Sequence, residues 1–414
     1  ILLTDNLYSA ILHSIRHENE KEEEGIIVRQ QQVVIVGAGI VGLSTAYALL
    51  AQGLKHVIVL EQEAVDHRRA ASHGVSRLLR FEYGEQLYYS EMVRRSLDRW
   101  HALEHISKRT LYTPTGLLVL GTERDNFAQP SYQVMRELHL PTERLSRQDC
   151  QQRFPQFSTQ GNDIFTYNAE GGILHASACV QTLKDLIIDL GGTIYESCRV
   201  TAITHDNLSR PIRIHTSTGD TLIADQVVLA TGAWVHRLLA DLRLPVQLTR
   251  QYLLHFAGLP STSFGNHAFP AFITADLYGF PLHKSPGCQG YSFFKAASHS
   301  FGSPIDPDDI LPPEERVLAR ITQSLQDLLP ALQEAELVRV DSCMYDVTPD
   351  EDFILDHVPY DPRITFATGL SGHGFKFGPL LGEMLGCMVC GLSSPVSLER
   401  FQLARFSRQH ISVA

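Results

Sequence analysis

A run of apolar residues over 33–36 (VVIV) opens the most regular pattern in the chain. A glycine-rich turn follows over 37–42 (GAGIVG), then a stretch with helical spacing to about Ala51, then a second apolar run over 57–60 (VIVL). Short apolar runs on either side of a helical segment are typical of a β-α-β unit with parallel strands. We therefore predict a strand, a helix and a second strand over residues 32–60.

Two later apolar runs end in nearly the same turn, over 227–232 (VVLATG) and 364–369 (ITFATG). Strands with matching ends but distant positions indicate one nucleotide-binding domain assembled from separate parts of the chain. The intervening stretches, 112–165 and 246–342, contain alternating apolar and polar residues, many prolines and many aromatics. This pattern favours a second, mainly antiparallel domain.

The fold class predicted from these patterns is α/β, with a nucleotide-binding domain made of discontinuous segments and an α+β second domain on a mainly antiparallel sheet. The N-terminal extension is expected to be an appended helix followed by a charged linker. The predicted ranges are 1–31 for the extension, 32–111, 166–245 and 343–414 for the first domain, and 112–165 and 246–342 for the second.

Charge and cysteine content narrow the classes of partner and compartment. The net charge is −11 and no long cluster of Lys and Arg is present, so nucleic acid is not an expected partner. The uncharged run over 33–50 is interrupted by three glycines, which argues against a membrane span. The seven cysteines are scattered, which favours a reducing compartment. The C-terminal residues ISVA differ from a peroxisomal address, and we predict a cytoplasmic protein.

The turn after the first strand has the spacing Gly37-x-Gly39-x-x-Gly42. In this context the first glycine permits a tight turn, the second lets the backbone approach a pyrophosphate, and the third lets helix and strand pack closely. Glu61 closes the second strand, where a carboxylate can accept hydrogen bonds from the ribose hydroxyls of a dinucleotide without a 2′-phosphate. The turn alone fits FAD and NAD equally, whereas the two later Ala-Thr-Gly turns favour FAD.

Four further motifs lie in order along the chain: residues 72–80 (SHGVSRLLR), 81–85 (FEYGE), 343–345 (CMY) and 371–377 (SGHGFKF). Together they resemble the monomeric sarcosine oxidase and N-methyltryptophan oxidase family, flavin amine oxidases of the D-amino-acid-oxidase-like superfamily. The resemblance extends from about Val33 to Phe401. It implies a Rossmann-like FAD-binding domain and a substrate domain over the cofactor.

The resemblance also implies how the cofactor is bound. Cys343 stands where the family's cysteine forms a thioether to the flavin 8α-methyl group, although an isolated cysteine is more often a small buried hydrophobe. The other cofactor-binding positions carried over from the family are Ser72, His73, Val200, Gly374 and Lys376. The pair Cys387-x-x-Cys390 has the spacing of a redox motif, but it falls in a late apolar helix and we expect no redox role.

A carboxylate on the substrate is bound in this family by a guanidinium and an ammonium, which the resemblance places at Arg80 and Lys376. A guanidinium with two parallel donors suits a carboxylate. Arg77 would support the flavin electrostatically. Without the resemblance, the arginines fit a solvated helix face and Lys376 fits a surface lysine after a loop.

Four further residues complete the expected site. Lys295 matches a lysine that promotes the reaction with oxygen through water, which favours an oxidase. His299 and Tyr278 would line the substrate pocket and orient the amine, and Tyr345 would form its wall beside Cys343. The segment between Phe272 and Tyr278 is shorter than in sarcosine oxidase and carries Ile273 in place of a longer side chain, so the pocket is expected to be reshaped.

The resemblance therefore implies oxidation of the C–N bond of an N-substituted amino acid, with an N-methyl or cyclic secondary amine. The imine would be hydrolysed by water and O2 reduced to hydrogen peroxide, without a metal, by a monomer or weak homo-oligomer that binds no membrane. Two alternatives stay open: an oxidase or dehydrogenase for fructosyl amino acids or carboxylate-free amines, and a non-catalytic flavin-binding protein. The joint presence of Arg80, Lys295 and Lys376 argues against the last.

Overall fold

A computed structural model describes residues 31–406, apart from 206–207, 285, 287–289 and 291. The expected N-terminal helix and linker, Cys288 and the C-terminal tail lie outside the described residues. The helices are α1 (Ile40–Ala51), α2 (Leu87–Ser107), α3 (Ala128–Glu137), α4 (Arg147–Arg153), α5 (Ala176–Asp189), α6 (Val235–Leu238), α7 (Ser261–Phe264), α8 (Glu315–Leu328) and α9 (Gly378–Cys390).

The first sheet contains the predicted β-α-β unit at its centre. Its strands, numbered along the chain, lie in the order β19 (Ile354–Val358), β20 (Asp361–Thr368), β13 (Gln226–Leu229), β1 (Gln32–Val36), β2 (His56–Leu60) and β9 (Thr193–Tyr195). Neighbouring strands are parallel except for the antiparallel pair β19 and β20. The strand, helix and strand expected from the first apolar runs are confirmed, and so are the two strands that end in Ala-Thr-Gly turns.

Both faces of this sheet are covered. On one face, Val33 and Ile35 of β1 pack in a core with α1, α5 and α9. On the other face, Val34 and Val36 pack against a small antiparallel sheet, β10 (Val200–Thr204), β11 (Ile212–Thr216) and β12 (Thr221–Ala224). Strands that are buried on both sides are continuous apolar runs, which explains the sequence of β1.

The second large sheet is antiparallel except for one parallel pair of strands, β15 (Ala271–Ile273) and β5 (Leu117–Gly121). Its strand order is β18 (Glu336–Val347), β14 (Gln247–Ala257), β17 (Phe294–Ser298), β16 (Leu277–Phe280), β15 (Ala271–Ile273), β5 (Leu117–Gly121), β7 (Ile164–Asn168) and β6 (Glu143–Leu145). The predicted α/β fold class with a mainly antiparallel second sheet is confirmed. The exact domain ranges stay a prediction, and β7 and β18 each cross one of their boundaries.

A third, short sheet carries the arginine motif. Its strands are β3 (Arg77–Leu79), β8 (Gly172–Leu174) and β4 (Tyr112–Thr113), with β8 in the middle. Beside it, α2 is amphipathic, and its buried side chains recur at intervals of three and four residues from Tyr89 to Leu103, as one apolar helix face requires. Within the ranges that the structure describes, every helix is too short or too polar to span a bilayer.

His175, at the start of α5, is expected to make the stability of the fold depend on pH. It is 3% exposed and its Nε2 lies 2.9 Å from the Thr113 hydroxyl. Burial and the neighbouring His283 lower the pKa of His175 to about 4. Because the unfolded chain takes up this proton near pH 6.5 and the folded chain does not, His175 should cost about 2 kcal/mol of stability between pH 7 and pH 5. Urea unfolding of wild type and His175→Asn at both pH values measures this. An equal pH-dependent loss in both proteins would contradict it.

Candidate active site

A cavity of about 600 Å³ lies where the glycine turn of the first sheet faces the second sheet. A pocket of this size suits a cofactor or drug-sized ligand. Every residue that the sequence analysis proposed for the site lines the cavity, except Gly42 and His73. The lining members are Gly37, Gly39, Glu61, Ser72, Arg77, Arg80, Val200, Tyr278, Lys295, His299, Cys343, Tyr345, Gly374 and Lys376.

The glycine turn has a geometry that only glycine allows. Gly37 has a φ of +103°, and a Cβ there would lie 2.4 Å from the carbonyl oxygen of Ala230. A Cβ on Gly42 would lie 1.9 Å from the carbonyl oxygen of Gly37. Both distances are far inside van der Waals contact. Gly42 therefore supports the turn from beneath the cavity rather than lining it.

Polar groups surround the start of α1 beside this turn. Glu61 is 6% exposed and its Oε2 accepts a hydrogen bond from the Ala38 amide at 2.8 Å. The Ile40 amide, at the first turn of α1, donates to Ser72 Oγ at 2.9 Å. A helix N-terminus of this kind offers amide donors and a positive dipole end to phosphate groups. The residues present therefore fit the pyrophosphate and ribose of a dinucleotide.

Two buried hydroxyls in the cavity wall support this fit. Thr231 Oγ1 and Ser76 Oγ are shielded from solvent and have no hydrogen-bond partner within the described residues. Both residues line the cavity, and Thr231 belongs to the first Ala-Thr-Gly turn. Buried hydroxyls usually find partners, so a polar ligand in the cavity would satisfy both. Val200, at the start of β10, lines the same end of the cavity.

His73 is the other residue that lies outside the cavity wall. Its ring lies 3.0 Å from Asp66 Oδ1, and its side chain is 36% exposed. Its backbone carbonyl accepts a hydrogen bond from the Arg77 guanidinium. The structure therefore gives His73 a contact with a cavity residue through its main chain, and its role in cofactor binding stays a prediction.

The two predicted carboxylate ligands both contact one tyrosine, Tyr83. Arg80 is 6% exposed and its Cζ lies 4.1 Å from the centroid of the Tyr83 ring. Lys376 is 4% exposed and its Nζ donates to Tyr83 Oη at 2.8 Å and to the His373 carbonyl at 2.8 Å. Burial, and then Arg80, hold the pKa of Lys376 well below its usual range. Neither a solvated helix face nor a surface lysine describes these residues, and both alternatives are wrong.

Helix α2 positions Lys376 through its main chain. The carbonyl oxygen of Lys376 accepts hydrogen bonds from Ser96 Oγ at 2.5 Å and from Trp100 Nε1 at 2.8 Å. The lysine lies in a short 3₁₀ turn, Phe375–Phe377, immediately before α9. Gly374 precedes this turn and lines the cavity, so α9 begins close to the cavity wall.

Arg77 and Lys295 converge on one carbonyl group from two different sheets. Arg77 Nη1 donates to the Ser76 carbonyl at 2.9 Å, and Lys295 Nζ donates to the same oxygen at 2.7 Å. Lys295 is 4% exposed. Burial, and then the charge of Arg77, lower the pKa of Lys295 well below its usual range. These two cations form a second positive region in the cavity.

Cys343, on β18, faces the same region. Its thiol is free, and its Sγ lies 3.7 Å from the Met344 carbonyl. Burial raises the pKa of the thiol, while the charges of Arg77 and Lys295 act in the opposite direction. Cys387 and Cys390 are also free and lie in α9, away from the cavity wall.

Tyr278, Tyr345 and His299 form an aromatic wall. The two tyrosine hydroxyls are 3.5 Å apart, and the Tyr278 ring centroid lies 6.2 Å from that of His299. Burial, followed by the charges of Arg80 and Lys376, lowers the pKa of His299 to about 3. His299 is therefore neutral at pH 7. Burial raises the pKa of both tyrosines, so their hydroxyls stay protonated.

Sequence reasoning missed several residues of the site. Tyr83 contacts both predicted carboxylate ligands, and His373 and Asp346 line the cavity. Tyr83 and His373 lie within the quoted motifs 81–85 and 371–377, so their neighbours were the available signal. Burial and the charges of Lys376 and Arg80 lower the pKa of His373 well below its usual range. Among the described residues, no group of three His, Cys, Asp or Glu side chains could hold a metal ion.

A parallel sheet with a glycine turn at its centre, opening on a cavity that buried cations line, defines a dinucleotide-dependent oxidoreductase. The sequence model of one family, described as FAD dependent oxidoreductase, matches residues 32–388. The chain belongs to this family, and its cofactor is FAD.

Similar proteins confirm the resemblance that the motifs indicated. Peroxisomal sarcosine oxidase from Homo sapiens is 31% identical over 385 residues, which cover 90% of this chain and 95% of the relative. N-methyl-L-tryptophan oxidase from Yersinia pestis (strain Pestoides F) is 30% identical over 383 residues, which cover 90% of this chain and 99% of the relative.

Solved structures show the same fold. L-proline dehydrogenase from P. horikoshii has a TM-score of 0.78 at 19% identity, with 92% of this chain and 98% of that chain covered. NikD, an amino acid oxidase essential for nikkomycin biosynthesis, has a TM-score of 0.76 at 24% identity, with 90% and 97% covered.

Proposed function

We propose that the protein oxidises the C–N bond of an N-substituted amino acid, with an N-methyl or cyclic secondary amine, to an imine that water hydrolyses. The observation that carries this proposal is the pair of buried cations, Arg80 and Lys376, in the cavity wall. Within the described residues, neither has a carboxylate partner within 4 Å. Buried charges are normally paired, so these two cations call for an anionic ligand. The characterised relatives are oxidases of sarcosine and of N-methyl-L-tryptophan by name.

The carboxylate of the substrate would be bound by both cations. Arg80 offers planar donors next to the Tyr83 ring, and Lys376 offers an ammonium at the hydroxyl of the same tyrosine. A carboxylate between them would satisfy its lone pairs in a site with little solvent, where charge-assisted hydrogen bonds are strong. This fixes one end of the substrate, and the position of the amine then depends on the distance from carboxylate to nitrogen.

The amine must be neutral before a hydride leaves the neighbouring carbon. His299 adds no positive charge beside the amine, because its pKa of about 3 keeps it neutral, and it can accept a hydrogen bond from the amine N–H. The nearby charges of Arg80 and Lys376 disfavour a protonated amine. Tyr278 and Tyr345 close the pocket and donate from hydroxyls that stay protonated.

FAD, when bound, supplies the hydride acceptor and passes the electrons to O2, which becomes hydrogen peroxide. The residues that would hold it are Gly37, Gly39, Glu61, Ser72 and Val200 at the dinucleotide end, and Gly374, Lys376, Arg77 and Cys343 at the flavin end. Lys295 would place a positive charge, or a proton, where oxygen is reduced. Such a fixed charge stabilises negative charge that develops on oxygen.

We further propose that Cys343 links FAD covalently. A thioether to the flavin 8α-carbon replaces one S–H and one C–H bond, and the two protons and two electrons released leave with O2 as hydrogen peroxide. Its support is the position of the thiol in the cavity wall, near the cations Arg77 and Lys295. Neighbouring cations favour the thiolate, which is the reactive form.

Replacing Cys343 by serine is expected to abolish the covalent attachment of the flavin. Acid precipitation of the wild-type protein should leave the yellow flavin in the pellet, because a thioether survives denaturation. The Cys343→Ser variant should leave it in the supernatant, because serine cannot form the thioether. A Cys390→Ser variant serves as the control and should behave like the wild type. Yellow supernatants from the wild type would show that the link does not form.

A peroxide-coupled screen of the purified protein tests the reaction itself. The compounds are sarcosine, N-methyltryptophan, pipecolate, proline and a fructosyl amino acid. Peroxide release with one or more of the first four supports the proposal. Release with fructosyl amino acids alone, or reduction of a dye without peroxide, would favour the other amine oxidases or a dehydrogenase. No reduction of FAD by any amine, in the absence of oxygen, would overturn it.

We propose a cytoplasmic monomer or weak homo-oligomer for the working state. The cysteines of the described residues are all free, as is usual in a reducing compartment. Cell fractionation and size-exclusion chromatography with light scattering test both points.

A further inference from the structure

Glu82 is a buried carboxyl group that the proposed reaction does not use. It is 1% exposed and lies two residues after Arg80. Its Oε2 accepts a hydrogen bond from the Phe81 amide at 2.9 Å, and its Oε1 accepts one from Asn168 Nδ2 at 3.2 Å. Its backbone carbonyl accepts a hydrogen bond from Arg80 Nη1. One segment therefore holds both the guanidinium and an acid that is shielded from water.

Arg80 is the cation whose charge acts on this carboxyl group. Within the described residues no cation approaches Glu82 within the 4 Å of an ion pair, so Arg80 acts through space. Burial raises the pKa of Glu82, while Asn168 and Arg80 act in the opposite direction. An ionised Glu82 therefore offsets part of the positive charge that Arg80 presents to the cavity.

We propose that Glu82 is a positioning residue for Arg80 and takes up a proton when a substrate carboxylate binds there. This inference rests on the proposed function, because it takes Arg80 as the carboxylate ligand. An ionised Glu82 and a substrate carboxylate bound at Arg80 repel each other, so the arrival of the substrate favours protonation of Glu82. Protonation leaves Glu82 uncharged and gives Arg80 its full charge for the substrate.

Other groups near this region also titrate. Arg80 and Tyr83 face Glu82 from its own segment, and Asn168 faces it from β7 without a charge of its own. Arg80 in turn acts electrostatically on four other titratable side chains, which are Lys376, His299, His373 and Glu351. These remain unchanged when Glu82 is replaced, so the difference between wild type and variant isolates the proton of Glu82.

The sign of the effect follows from linkage. Below the pKa of Glu82 in the free enzyme, the group is already protonated and binding takes up no proton. Above that pKa, binding requires Glu82 to take up one proton. The dissociation constant of the carboxylate then rises by at most about tenfold per pH unit. In Glu82→Gln this dependence is lost, and at the alkaline end the variant binds a carboxylate on the order of tenfold more tightly than wild type.

The test is calorimetry of the flavin-loaded enzyme with cyclopentanecarboxylate, a ring acid with no amine to titrate. Titrations from pH 6 to pH 9 in two buffers of different ionisation enthalpy give the number of protons taken up. When the acid binds, the wild-type enzyme should take up a fraction of a proton from the buffer. The Glu82→Gln variant should not take up this fraction. Glu137→Gln, an exposed glutamate on α3, should match the wild type. Equal proton uptake in wild type and Glu82→Gln would overturn the inference.

A second variant keeps the inference testable if Glu82→Gln does not fold. Asn168→Ala removes a donor that stabilises the ionised carboxyl group, so the pH range of proton uptake should move upward. An unchanged range would overturn the inference. Arg80→Met separates it from the proposed function. If the acid fails to bind wild type, or binds Arg80→Met equally well, both proposals fail. If binding requires Arg80 but proton uptake is independent of Glu82, this inference alone fails.

Discussion

Replacing Gly42 by alanine is expected to yield protein with less than a tenth of the wild-type FAD. The added Cβ would lie 1.9 Å from the Gly37 carbonyl oxygen, which is about half of a normal contact distance. Either α1 or the glycine turn must move, and both form the phosphate site. The ratio of flavin absorbance to protein absorbance after purification measures the effect.

Gly386→Ala is the matched control, because both glycines lie inside helices. A Cβ on Gly386 meets its nearest atom at 3.6 Å, an ordinary contact. This variant should retain FAD and gain up to about 1 kcal/mol of stability, since alanine favours helix more than glycine. Full flavin content in Gly42→Ala would contradict the dinucleotide site at this turn.

Replacing Arg80 by methionine should raise KM for carboxylate substrates by about 100-fold, or about 3 kcal/mol, the typical cost of removing one partner of a buried charged pair. Methionine keeps the bulk of the side chain over Tyr83 and removes the guanidinium. Lys376 would remain, so some affinity should persist. Steady-state kinetics on the best substrate of the screen, together with its carboxylate-free analogue, measure the change.

Arg94→Met provides the control, because Arg94 is an exposed arginine on α2 whose only recorded partner in the described residues is Glu91. Its kinetics should equal those of the wild type within a factor of two, as for most surface pairs. If Arg80→Met raises KM equally for the acid and for its carboxylate-free analogue, Arg80 has a structural role and is not the carboxylate ligand.

Local patterns predicted the framework of the molecule well. The strand, turn and helix over residues 32–51 are consequences of neighbouring residues, because apolar runs, glycine spacing and helix periodicity act over a few positions. The two strands that end in Ala-Thr-Gly turns were also predicted correctly from local sequence. Helix α9 begins two residues after Lys376 and has Pro379 in its first turn, where proline is favoured.

The site itself depends on contacts between distant parts of the chain. Tyr83 and Lys376 are 293 residues apart, and Glu82 and Asn168 are 86 apart. No periodicity connects such pairs, so only the resemblance to known motifs brought Arg80, Lys295 and Lys376 together. Tyr83 and Glu82 were missed because their roles come from burial, which a segment of mixed charge and aromatic residues does not indicate. The interpretation of the arginines as a helix face failed because Arg77 begins a short strand.

The most direct test of the account compares the best substrate of the screen with its own primary amide. The amide keeps the amine, the oxidised carbon and nearly the same volume, but it carries no negative charge for Arg80 and Lys376. Anaerobic reduction of the bound flavin, followed by its absorbance, gives the rate and affinity for each compound. The account predicts an efficiency about 100-fold higher for the acid. Equal efficiencies would contradict the claim that these buried cations hold a carboxylate beside the flavin.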